Sequence, residues 1–85
     1  MLTLQDVIDY SDLTEEEVAA IAEHEHIPKI VAAEMGDHLV HSPAGVPILK
    51  RMILENVESA MNRGDELHAS DLHLVLQRFI LKHSP

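Results

Sequence analysis

The sequence predicts an all-α fold, a small bundle of four to five helices with a short first helix and one longer loop at residues 42–47. Three observations carry that expectation. Two helix-start signatures stand eleven residues apart near the amino end, apolar residues recur at helical spacing through the rest of the chain, and no segment alternates as a half-buried strand does.

The first two helices share one plan. Leu2-Thr3-Leu4-Gln5-Asp6-Val7 and Leu13-Thr14-Glu15-Glu16-Glu17-Val18 each run apolar, Thr, two residues, acid, Val. The threonine can cap free backbone amides, the acid three residues on can reach back to the cap, and the flanking apolar pair can close as a staple. The first helix is therefore short, ending near Tyr10, with Ser11 and Asp12 supplying the turn. The second has acids in its first turn and histidines in its last, which suits the macrodipole, and stops near His26 because Pro28 disfavours a helical Ile27.

Pro28 at the first helical position opens a third helix that runs to about His41, with Val31, Met35 and Leu39 as its apolar stripe. Ser42-Pro43-Ala44-Gly45-Val46-Pro47 reads as the loop. A fourth helix from about Val46 to Asn62 presents Leu49, Met52, Ile53, Val57, Ala60 and Met61 on one face, and Gly64 is placed to end it. A fifth starts near Asp65 or Ser70, continues to about Lys82, and buries Leu72, Val75, Leu76, Phe79 and Ile80.

That last helix is apolar on two sides. Leu67, Leu74 and Leu81 recur every seven residues on the side away from Leu72 and Phe79. Either a five-helix domain wraps the helix completely, or two copies bury these leucines in a self-complementary interface. Size favours the second. A single domain spanning residues 1–85 buries only about 60–65% of the surface its unfolded chain exposes, and without cysteine it has no disulfides to supplement that core. Association of copies is the remaining source of burial.

Composition excludes several functions. Fifteen acidic residues against six basic ones give a formal charge of −9, so nucleic acid, which is bound by clustered Lys and Arg, is not an expected partner. Protonating all seven histidines would bring the charge to −2, a large swing for so small a chain. The amino terminus lacks a basic region followed by an apolar run, and no stretch is long enough to span a bilayer; a soluble cytoplasmic protein without membrane contact is expected. No nucleophile elbow or phosphate-cradling glycine loop is present, so no enzyme is expected. A helix-turn-helix over residues 14–41 is rejected because its recognition helix offers only Lys29.

Four histidines fall between residues 24 and 41: His24, His26, His38 and His41, interleaved with Glu23, Glu25, Glu34 and Asp37. Helical geometry puts Glu34, His38 and His41 within about 60° of one another, and a turn at Pro28 could bring Glu25 or His26 toward His38. Glu25 also shares a stripe with Val18, Ile21 and Ala22, an unusual place for a charge unless it is paired. Glu23-His24-Glu25-His26 resembles the acid-to-histidine spacing of di-iron carboxylate bundles over these four residues, but the second copy that family requires is missing. The histidine pair of zinc peptidases is absent too.

The expectation is a non-catalytic protein-interaction or regulatory module acting as a homodimer through Leu67, Leu74 and Leu81, without a cofactor. The alternative is a metal-binding protein holding zinc, iron or nickel with His26, Glu34, His38 and His41, joined by Glu25.

Overall fold

A computed structural model describes residues 3–83 and contains five helices: α1 (Leu4–Tyr10), α2 (Glu15–Glu25), α3 (Lys29–Val40), α4 (Gly45–Asn62) and α5 (Glu66–Lys82). Both expected capping boxes are closed. Asp6 donates its amide to Thr3 Oγ1 at 3.2 Å and returns a carboxylate oxygen to the Thr3 amide at 3.1 Å. Glu17 and Thr14 repeat the exchange at 3.2 and 2.9 Å. The expected staple on Leu2 lies outside the described residues. Between the two helices, buried Ser11 turns the chain by donating its hydroxyl to Ile8 O and accepting the Leu13 amide.

His26 ends α2 in the left-handed conformation at φ 56°, and the Ile27 amide reaches back to Ala22 O at 3.2 Å. Pro28 is the cap of α3 rather than its first helical residue. The loop after α3 is shorter than the expected 42–47, because Gly45 already begins α4 and Pro47 sits in its first turn, where a missing amide costs nothing. Gly45 permits this tight turn: a Cβ there would lie 2.0 Å from the Leu39 carbonyl oxygen. Gly64 at φ 76° ends α4, and Asp65 caps α5 by accepting the His68 amide at 3.2 Å.

Helix α2 packs on α3 and α4, α4 and α5 form an antiparallel hairpin, and α1 closes against α3. Phe79, Ile21, Leu49, Ile53 and Val18 are the largest fully enclosed side chains, drawn from α2, α4 and α5. Buried Asn56 on α4 donates to Ala20 O of α2 at 2.7 Å, so this neutral polar side chain between the two helices is satisfied.

Two stripes differ from expectation. Helix α3 buries Ala32, Ala33 and Gly36, whereas Val31 is exposed and Met35 and Leu39 are half-buried. The cause is close approach: a Cβ on Gly36 would fall 2.5 Å from Leu13 Cδ1 and 2.7 Å from Ile21 Cδ1, so the contact face is made of the smallest residues. On the hairpin, Met61 and Ile80 are exposed, because they sit on the flank that no other helix covers. The Cα trace spans only 16 Å along its shortest axis, the depth of about two packed helices, which leaves α5 covered on one side alone.

Candidate functional site

The metal-binding alternative gathers His26, Glu34, His38 and His41, and the structure places them as follows. His26 caps α2 through its left-handed backbone and is exposed, and Glu34 and His38 are exposed on α3. His41, at the end of α3, lies 3.3 Å from the carboxylates of both Asp37 and Asp12, and its Nδ1 is 2.7 Å from the Asp37 carbonyl oxygen. Among the described residues no group of three or more His, Asp or Glu is placed to hold a metal ion. The cluster is local in sequence only, because the turn at Ile27 and Pro28 separates two helix ends.

The fold instead pairs histidines one by one with acids from other elements. His24 sits between two carboxylates, its Nδ1 2.7 Å from Glu25 Oε2 and its Nε2 2.6 Å from Glu55 Oε1 on α4. Glu25 therefore has the partner its position on the apolar stripe demanded. His68 Nε2 on α5 is 2.6 Å from Glu23 Oε1 on α2. These contacts tie the last turn of α2 to both arms of the hairpin, around a cleft of about 260 Å³ lined by Glu23, His24, His26, Glu55, Asn56, Ser59 and Arg63.

Electrostatics follow from the pairing. Partial burial of His24 opposes its charge, but the hydrogen bonds and negative charges of Glu55 and Glu25 outweigh it and raise its pKa above 6.5. The Asp37 carbonyl, assisted by the Asp37 and Asp12 charges, raises that of His41. His83 goes the other way. Burial first, then the neighbouring Lys82 charge, lowers its pKa, and its Nε2 is enclosed without a hydrogen-bond partner among the described residues while the ring packs 4.5 Å from Phe79.

Sequence reasoning placed Glu17 only in a capping box. It is also the buried acid among the described residues, and Lys82 Nζ reaches it from the far end of α5 at 2.8 Å while donating to Asp12 O at 2.8 Å. Partners separated by 65 and 31 positions leave no local pattern, so neither Lys82 with Glu17 nor His24 with Glu55 had a sequence signal.

The leucine row is where the helical wheel puts it. Leu67, Leu74 and Leu81 are 83%, 47% and 77% exposed on the face of α5 opposite Leu72, Leu76 and Phe79. No helix is long and apolar enough to cross a membrane among the described residues. No known protein family matches the chain, and no curated protein or solved structure shows significant similarity to it.

Proposed function

We propose that the protein is a non-catalytic interaction module that works as a homodimer, with the outer face of α5 as its contact surface. The observation that carries this reading is the solvent-facing row of Leu67, Leu74 and Leu81 on a domain two helices deep. Their exposure adds up to about two whole leucine side chains per copy. Withdrawing both rows from water gains about 6–12 kcal/mol, against at least about 4 kcal/mol for lost translational and rotational freedom. At most about 8 kcal/mol is left over, a dissociation constant no tighter than about 1 μM and therefore a reversible contact suited to regulation.

Sedimentation equilibrium up to about 1 mM chain tests it. The wild type shifts from monomer to dimer across that range, whereas Leu74→Lys keeps the same helical circular dichroism and stays monomeric. A wild type that remains monomeric throughout sinks the proposal.

A further inference from the structure

We infer that the two copies pair with their α5 helices antiparallel, about a two-fold axis passing Leu74; this rests on the self-association reading above. The spacing permits it. With Leu74 against Leu74 of the partner subunit, the seven-residue repeat sets Leu67 against Leu81 of the partner subunit, and by symmetry the reverse.

Charge decides the direction. Asp71 and Arg78 flank the leucine row on the same side, about 50° round the helix, and neither has an ion-pair partner among the described residues. Both are exposed. In an antiparallel pair Asp71 lies opposite Arg78 of the partner subunit with an axial offset of about 1.5 Å, and the symmetry makes the contact twice. In a parallel, in-register pair the two-fold runs along the helices and sets this flank against uncharged Ser70 and Gln77 of the partner subunit, so neither ion pair forms. The other flank, Ser70 and Gln77, is uncharged and allows close approach in either direction, so it does not oppose the choice. Antiparallel helices also oppose their macrodipoles.

The chain has no cysteine, so single introduced thiols report orientation directly. Leu67→Cys mixed with Leu81→Cys is expected to form a mixed disulfide under mild oxidation, while Leu67→Cys alone stays unlinked because fourteen residues, about 21 Å, separate the two thiols. Asp71→Arg and Arg78→Asp each weaken the dimer about tenfold, and combining them restores it to within about threefold, as two exposed pairs per interface imply. Self-linking of Leu67→Cys, or single charge reversals without effect, overturns the antiparallel arrangement. A sedimenting dimer that never cross-links places the contact on another face and also overturns it. A monomeric wild type instead removes the self-association reading beneath it, so the two failures are distinguishable.

Discussion

Replacing Glu55 by Gln should destabilise the domain in a way that depends on pH, and the size of the effect follows from the geometry of His24. Both ring nitrogens of His24 face carboxylates, at 2.7 and 2.6 Å. Only the imidazolium can donate to both; a neutral ring donates once and turns a lone pair toward the other acid. A charge-assisted hydrogen bond of this kind contributes about 1.5–3 kcal/mol when buried and under about 1 kcal/mol when exposed. Because the Glu55 side chain is 51% exposed, about 1 kcal/mol is appropriate. The folded pKa of His24 is raised, so this stabilisation is fully present below 6.5 and is lost as pH rises through the folded value. His83, whose pKa is lowered, has the opposite sign: its contribution is present above 6.5 and lost as pH falls. Thermal melts of wild type and Glu55→Gln should therefore differ by about 4–8 °C at pH 6 and converge at about pH 9. An equal difference at both pH values, or a His24 proton resonance titrating at or below 6.5, would refute the reasoning.

Lys82→Met leaves buried Glu17 without its counter-charge and should cost about 2–3 kcal/mol by urea denaturation, less than a fully severed buried pair because the Thr14 amide still bonds the acid. Adding Glu17→Gln should recover part of the loss. Gly45→Ala sets a methyl against the Leu39 carbonyl, which is backbone and has nowhere to swing, so a loss above about 2 kcal/mol is expected from the shift in melting temperature. His26→Gly should raise stability by about 0.5–1 kcal/mol, since glycine adopts φ near 56° without the Cβ penalty; a destabilised variant would mean that the imidazole makes a contact beyond its role as a cap.

Local chemistry made most of the fold legible. Thr3 with Asp6, Thr14 with Glu17, Pro28 and Gly64 each act within a few residues of themselves, so their effect on the backbone could be read directly from the chain. The α3 stripe was read in part: Met35 and Leu39 pack at the edge of the core, but hydropathy ranks exposed Val31 above Ala32, Ala33 and Gly36, whereas a helix drawn close against Leu13 and Ile21 selects residues for smallness. The outer leucines of α5 were legible because seven-residue recurrence is geometric and independent of what lies opposite. The partners of His24, His68 and Glu17 were not, since they depend on how α2 lies across the α4 and α5 hairpin, a long-range property.

The contacts that the histidines between residues 24 and 41 make follow from the surplus of acid around them. Of the formal charge of −9, the largest share lies on α2, which carries five glutamates and no lysine or arginine, while α4 and α5 each balance two acids with two bases, so a carboxylate of α2 that meets an acid of another element calls for a cation or a proton at the contact. Only six lysines and arginines are available, and Lys82 is already committed to Glu17. Imidazoles stand at the contacts between elements that these acids make: His24 against Glu55, His68 against Glu23, His41 against Asp12. Distributed singly, the same residues hold α2 to both α4 and α5 and the end of α3 to the turn before α2.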